Sequence, residues 1–206
     1  MKFPKQKSDD IGNYVDQYFS SVTLAAKGVQ RSMIKKAADL LMAIYKAEKF
    51  VWVCGNGGSS AIANHLVCDH IKGIRSNTKL KPRVVSLVNN LETITAVSND
   101  ISYDEIFVFQ LESLAQRGDL LITISSSGDS ENVVKAFEWA RNNGLYTITF
   151  TGFSGGRTQK HADANIHVDA ENYGVVEDVH QCLMHILAQF IRMRELSADE
   201  VGKLLF

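Results

Sequence analysis

Residues 51–60 read VWVCGNGGSS, in which four apolar residues run directly into a turn of glycine, asparagine and serine. Residues 120–130 read LLITISSSGDS and repeat this arrangement, with consecutive serines in the turn. Both turns lead straight into a predicted helix. Strand–turn–helix units of this kind are typical of parallel α/β sheets, in which a helix packs on a sheet face after each strand.

Five short apolar runs alternate with helical segments along the chain. The runs are continuous rather than alternating, as expected of strands that are covered by helices on both faces. The pattern predicts an α/β fold with a doubly wound, five-stranded parallel sheet. The predicted strands lie at residues 51–54, 83–88, 119–124, 145–150 and 165–168, and the predicted helices at 59–72, 91–97, 104–116, 130–143, 156–161 and 174–194.

The residues before the first strand have a different pattern. Residues 8–49 contain no proline and place apolar side chains at helical spacing, which predicts two helices with a break near Gly28. We therefore predict a helical extension over residues 1–50 and one α/β domain over residues 51–206 that ends in a C-terminal helix. Ligands of doubly wound sheets bind at the carboxyl ends of the strands, so both serine-containing turns are expected at one edge.

The composition limits the classes of partner. Of the 206 residues, 45% are hydrophobic and 22% are charged, and the net charge is −1, so nothing favours nucleic acid or an anionic membrane. Cys54, Cys68 and Cys182 have no CxxC spacing and are typical of reduced, mostly buried cysteines in an intracellular protein. No apolar run approaches the roughly 18 residues of a membrane span, and no signal peptide is expected. We expect a cytoplasmic protein.

The second serine-containing turn is the stronger candidate for an anion site. Its hydroxyl groups surround one glycine at the start of a helix, where free backbone N–H groups also favour negative charge. The four serines are Ser125, Ser126, Ser127 and Ser130. The alternative is an ordinary helix N-cap, which serine also favours. Neither a dinucleotide fingerprint nor a Walker A motif is present, so a sugar phosphate is a better candidate than a nucleotide.

Two helices carry candidate acid, base or metal-binding groups. His65 and Asp69 are four residues apart and share one face of the helix after the first turn. On the last helix, Glu177 and His185 are separated by about 80° around the axis, so both side chains can point into one cleft. Two imidazoles and two carboxylates can bind a divalent metal ion or act as acid and base. The alternative is a surface pair at His65 and Asp69 and a structural histidine in an apolar run.

Taken together, four segments resemble the SIS (sugar isomerase) domain, and within it the phosphoheptose isomerase family. They are Cys54–Gly73, the segment SSSGDSENVVKAFEWAR, the turn TGFSGG and the helix EDVHQCLMH. The resemblance extends from about Val22 to Met193. It implies a flavodoxin-like sheet, a homotetramer with the N-terminal helices in a central bundle, and active sites at subunit contacts. Residues 1–50 are thereby interpreted as an oligomerisation extension.

The resemblance also implies roles for individual residues. Substrate-binding positions are Asn56, Ser59, Asn99 and Asp100, together with the phosphate-binding Ser125, Ser126, Ser127 and Ser130. A metal ion, zinc in the family, is implied at His65, Asp69, Glu177 and His185. Asp69 corresponds to the favoured proton-transfer base and His185 to its partner. The implied reaction converts sedoheptulose 7-phosphate into D-glycero-D-manno-heptose 7-phosphate through a cis-enediol.

Two departures from the family pattern fall in the implied metal site. Asp69 stands where the family has Glu, and Glu177 stands where it has Gln. We interpret this pair of changes as compensatory, since a shorter carboxylate on one helix is accompanied by an added carboxylate on the other. Two alternatives to the heptose isomerase stay open: a non-catalytic SIS module that binds a sugar phosphate or acts as a tetrameric scaffold, and an isomerase for another sugar phosphate.

Overall fold

The computed structural model describes all 206 residues and contains eight α-helices and five strands. The helices are α1 (Ile11–Gly28), α2 (Arg31–Lys46), α3 (Gly58–Cys68), α4 (Leu91–Asp100), α5 (Val108–Leu114), α6 (Glu131–Asn142), α7 (Tyr173–Glu195) and α8 (Ala198–Val201). The strands are β1 (Phe50–Gly55), β2 (Arg83–Ser86), β3 (Leu120–Ser125), β4 (Tyr146–Thr151) and β5 (Ala164–His167). None of the helices combines the length and the apolar character needed to cross a membrane.

The five strands form one parallel sheet in the order β2-β1-β3-β4-β5. This is the flavodoxin-like order, and it confirms the predicted fold class. The strand order reverses between β1 and β3, whose register pairs Val53 with Ile122 and Gly55 with Ile124. The two serine-containing turns therefore leave adjacent strands at the switch point of the sheet.

Helices cover both faces of the sheet, which explains the continuous apolar strands. Val51 and Val53 of β1 belong to the larger buried cluster, to which α2, α3 and α7 also contribute. The intervening Trp52 and Cys54 belong to the smaller cluster on the opposite face, with residues of α5 and α6. The N-terminal helix α2 thus shares a core with the sheet.

Side-chain caps mark the start of several helices. Asp10 accepts a hydrogen bond from the backbone N–H of Gly12 at 2.8 Å and begins α1. Asn90 and Asn172 cap α4 and α7 in the same way. These side chains satisfy N–H groups that have no partner inside the helix. The predicted break near Gly28 is confirmed, because α1 ends at that residue.

Some predicted helices have different boundaries in the structure. The segment predicted as a helix over 156–161 contains only a 3₁₀ turn at Gln159–His161, because Gly155 and Gly156 have positive φ angles that cannot continue a right-handed helix. The helix predicted over 104–116 is a 3₁₀ turn at Tyr103–Glu105 followed by α5. The helix predicted over 59–72 changes at Asp69 into a π-helix that ends at Ile74.

Candidate active site

The carboxyl ends of β1 and β3 approach each other closely enough to require glycine. A side chain on Gly55 would lie 2.7 Å from the carbonyl oxygen of Ile124 and 2.9 Å from Ser59. The first turn therefore packs directly beside the second at the switch point. This edge is where ligands of doubly wound sheets bind.

The second turn presents hydroxyl groups that are not used by the fold. Ser126 is 5% exposed, and its hydroxyl is buried with no hydrogen-bond partner. Ser130 is the N-cap residue of α6, but its side chain makes no capping hydrogen bond. By contrast, Ser125 and Ser127 accept hydrogen bonds from the N–H groups of Gly128 and Asp129. A buried hydroxyl without a partner is uncommon in folded proteins and is consistent with a ligand at this turn.

A third turn, Gly152–Gly156, supports the second. The N–H of Gly152 donates to the carbonyl oxygen of Ser126 at 2.9 Å. Gly128 has a φ of +65°, and any side chain there would collide with the carbonyl oxygen of Gly155. The two turns are thus fixed against each other by backbone contacts. Their glycines therefore allow the two backbones to pack closely, in addition to leaving room for a ligand.

The first turn is held by residues that sequence reasoning did not identify. Asn56 donates to the amide oxygen of Asn132 at 2.8 Å, and Asn132 donates back at 3.1 Å. The hydroxyl of Tyr103 donates to the same oxygen of Asn56 at 3.0 Å. Ser59 is buried beside this network. Nothing in the spacing of Asn132 or Tyr103 signalled these contacts, because they join three separate elements.

Asn99 and Asp100 lie at the C-terminal end of α4. Both residues are exposed, and Asn99 donates to the carboxylate of Asp100 at 2.7 Å. The structure brings neither residue into hydrogen-bonding contact with the serine-containing turns. Their role in substrate binding stays a prediction.

A cluster of two histidines and one aspartate joins α3 to α7. Asp69 places one carboxylate oxygen 2.6 Å from Nδ1 of His185 and the other 3.3 Å from Nε2 of His65. Gln181, which sequence reasoning missed, lies 2.9 Å from Nε2 of His185 and 3.2 Å from Nδ1 of His65 through its side-chain nitrogen. These contacts orient both imidazole rings, whose centroids are 4.9 Å apart. The shorter carboxylate of Asp69 therefore reaches both histidines.

The donor set of this cluster fits a metal ion. One ligand atom from each of His65, Asp69 and His185 can be chosen so that all lie within 4.8 Å of one another. Two imidazole nitrogens and a carboxylate oxygen are ligands that zinc accepts, and three protein ligands leave a position for water or substrate. The three residues are also partly accessible, so a ligand can reach them.

Glu177 lies outside this cluster, one helical turn before Gln181. Its carboxylate lies against Gly58, the first residue of α3, where any side chain would collide with it. Burial, followed by the charge of the neighbouring Asp178, raises the pKa of the Glu177 carboxyl. Asp178 in turn accepts a hydrogen bond from the Tyr18 hydroxyl at 2.7 Å. Glu177 therefore stands between the first turn and the cluster, and its role as a metal ligand stays a prediction.

Two further histidines are fully buried near the site. Burial lowers the pKa of His70 to about 4, and the charge of Asp69 opposes this only in part. Burial also lowers the pKa of His180 to about 4, and its Nε2 atom lies 3.1 Å from the carbonyl oxygen of Thr151. Both rings are neutral near pH 7. Each has one ring nitrogen without a partner, at Nε2 of His70 and Nδ1 of His180.

Comparisons with known proteins give related sequences and structures. Residues 16–152 match the model of the SIS domain family. The phosphoheptose isomerase of Synechocystis sp. is 33% identical over 192 residues, which are 93% of this chain and 98% of the relative. That of Clostridium acetobutylicum is 34% identical over 170 residues, 82% of this chain and 86% of the relative. The solved phosphoheptose isomerase of Neisseria gonorrhoeae superposes with a TM-score of 0.82 at 26% identity, covering 89% of this chain and 100% of that one.

Proposed function

The chain belongs to the SIS domain family and, within it, to the phosphoheptose isomerases, and we propose that it interconverts sedoheptulose 7-phosphate and D-glycero-D-manno-heptose 7-phosphate. The observation that carries this proposal is the Asp69 carboxylate between His65 and His185. A carboxylate and imidazoles held in contact are the groups that proton transfer between carbon and oxygen requires. A sugar-binding module has no need for such a set.

In this proposal the serine-containing turn holds the phosphate of the sugar. The hydroxyls of Ser126 and Ser130, which make no hydrogen bond within the fold, donate to the phosphate oxygens. The N-terminus of α6 adds the favourable field of its helix dipole. No lysine or arginine is needed, and Arg157, which contacts the turn at Asp129, is already paired with Asp129 and Glu131.

The reaction moves one proton between C1 and C2 of the open-chain sugar. Starting from the ketose, Asp69 removes a proton from C1 while the C2 oxygen gains a proton, which gives the cis-enediol. The O1 proton then leaves and a proton returns to C2, so that C1 becomes the aldehyde. We assign the carbon-bound proton to Asp69 and the protons on the oxygens to His185, whose orientation is held by Asp69 and Gln181.

His65, Asp69 and His185 are the residues that would hold a metal ion, and we propose zinc. When bound there, the ion would supply Lewis-acid chemistry to the oxygens of the reacting carbons. The side-chain amide of Gln181 orients the two imidazoles in the absence of the ion. Glu177 is the candidate for an additional ligand from α7.

We also propose a cytoplasmic homotetramer with active sites near subunit contacts. Supporting this assembly, Ile11, Phe19 and Leu24 of α1 are large apolar side chains that are more than half exposed. Exposed apolar patches of this kind mark interaction surfaces. All three cysteines are unpaired, as is usual in reducing compartments. Only Cys54 is buried, so the prediction of mostly buried cysteines is wrong. Light scattering of wild type and Phe19→Glu checks the assembly, and a monomeric wild type contradicts it.

Turnover of sedoheptulose 7-phosphate by the purified protein tests the function. Aldose phosphate formation should appear in the wild type, fall after chelation, return with added zinc and disappear in His185→Ala. A protein that binds the ketose phosphate without converting it contradicts the proposal and favours the non-catalytic module. Conversion of a pentose or hexose phosphate alone favours the other isomerase.

A further inference from the structure

The helix that carries His65 and Asp69 changes its geometry at Asp69. It is α-helical up to Cys68, and Asp69–Ile74 is a π-helix. A π-helix bonds each N–H to the carbonyl five residues earlier, so its turn is wider. Such turns are rare, occur mostly as single turns inside α-helices, and are frequent at functional sites. Here the wide turn begins at the residue whose carboxylate must reach histidines on two helices. The backbone at this junction therefore decides where the carboxylate lies.

A buried polar pair spans from this junction to α2. His70, directly after Asp69, is 1% exposed, and its Nδ1 atom is hydrogen-bonded to the hydroxyl of Tyr45. Tyr45 is 3% exposed and lies in the last turn of α2, 25 residues earlier. The two rings also meet edge to face. At the other end of the π-helix, Ile74 is fully buried.

The hydrogen bond to Tyr45 is the only one that the His70 ring makes. Its Nε2 atom is buried without a partner. An unpaired buried nitrogen is unfavourable, so apolar side chains in place of both partners would remove this cost, whereas replacing His70 alone would leave the buried Tyr45 hydroxyl unpaired. A hydrogen bond constrains the relative orientation of its donor and acceptor groups, whereas an apolar contact does not. The polar pair thus constrains the rotation of the π-helical turn at some cost in stability.

We propose that Tyr45 and His70 are positioning residues, whose buried hydrogen bond sets the π-helical turn so that the Asp69 carboxylate meets both His65 and His185. This inference rests on the proposed function of that cluster and extends it to residues that contact neither substrate nor metal. It concerns the placement of Asp69, whereas the phosphate site on β3 and α6 is independent of it.

Tyr45→Phe tests the inference, because it removes the hydroxyl and keeps the ring. We expect kcat to fall roughly tenfold, the loss typical of removing a partner that orients metal ligands, with an unchanged KM for the sugar phosphate. Titration with Co²⁺ alone should show an affinity weaker by a similar factor and an altered visible spectrum of the bound ion. Tyr14→Phe is the matched control, since Tyr14 lies on α1 and packs against Phe3.

The double variant Tyr45→Phe/His70→Leu separates positioning from stability. It leaves no polar group of the pair buried, so its thermal stability should exceed that of Tyr45→Phe. On our inference its kcat and Co²⁺ affinity stay low in spite of this recovery. Leu145→Ala, a core variant ahead of β4, should be destabilised with normal kcat and Co²⁺ affinity.

Two results overturn the inference: activity and Co²⁺ affinity that recover with the stability of the double variant, or equal losses in Leu145→Ala. A wild type that binds Co²⁺ but does not convert sedoheptulose 7-phosphate contradicts the proposed function instead. The Co²⁺ affinities and spectra of the variants then still decide the inference. A wild type that does neither overturns both.

Discussion

The serine-containing turn and the histidine–aspartate cluster are built differently. The turn consists of consecutive residues, Ser125–Ser130, between one strand and one helix. The cluster joins Asp69 to His185, which are 116 residues apart, and exists only because α7 packs on α3. The proposed phosphate site is thus a local property of the chain, whereas the groups proposed for proton transfer depend on tertiary packing.

This difference separates the expected effects of substitution. A change in the turn should alter KM for the sugar phosphate, because the turn holds a part of the substrate that does not react. A change in the cluster should alter kcat, because its contacts matter in the transition state. Variants of each region therefore test whether the two are independent.

Asp69→Asn should have the largest effect. The amide has nearly the same shape but cannot accept a proton or accept hydrogen bonds at both ends, so kcat should fall about 10³-fold with little change in KM. Steady-state turnover of sedoheptulose 7-phosphate measures both constants. Asp39→Asn is the control, since that carboxylate is exposed and paired with Lys35 and Arg194. A kcat within tenfold of wild type would assign the base to another residue.

Gly128→Ala should damage the turn through its backbone. The residue has a φ of +65° and faces the carbonyl oxygen of Gly155, so a methyl group brings both strain and a collision. We expect a loss of about 3 kcal/mol in the free energy of unfolding, together with a raised KM. Urea unfolding measures the change in the free energy of unfolding, and steady-state kinetics measures the change in KM. Gly28→Ala, at the end of α1 with open space around it, should lose nothing. Equal stability of the two variants would mean that the contact between the turns is not needed.

Ser126→Ala should change affinity and stability in opposite directions. A lost hydrogen bond to a charged phosphate should raise KM about 10- to 100-fold, with kcat nearly unchanged. Removing a buried hydroxyl without a partner should leave the free energy of unfolding unchanged or slightly higher. Ser113→Ala, exposed on α5, controls for the substitution itself. An unchanged KM would show that the phosphate binds elsewhere.

Glu177→Gln should have the smallest effect. It tests whether Glu177, which lies between the first turn and the cluster, belongs to the metal site. Its carboxylate lies against the first residue of α3, outside the three-residue cluster, so removing its charge should weaken zinc binding less than tenfold. Zinc titration of Glu177→Gln beside His65→Ala measures this. A loss as large as that of His65→Ala would make Glu177 a ligand. Unchanged metal content together with unchanged activity would show that the departures at Asp69 and Glu177 do not compensate each other.

Much of the fold could be predicted because it depends on local patterns. Continuous apolar runs such as 51–54 and 119–124 predicted strands covered on both faces, and the structure confirms them as β1 and β3. The assignment of the serines of the second turn to an anion site also came from their position, and it stays a prediction. The sequence could not identify three residues that contact the candidate site, namely Gln181, Asn132 and Tyr103. Their contacts join separate elements, and the spacing of residues along the chain does not predict how those elements pack.

The sequence by itself determined the strand–turn–helix units, the edge of the sheet at which their turns meet, and the residue types available for the proposed proton transfer. Only the tertiary structure decided that Asp69 meets both His65 and His185, that Glu177 lies apart from them, and that the helix widens at Asp69. The reason is physical. Secondary structure follows from the period of apolar side chains over a few residues, whereas a hydrogen bond is directional and short, so its partners are settled only when packed helices fix both ends.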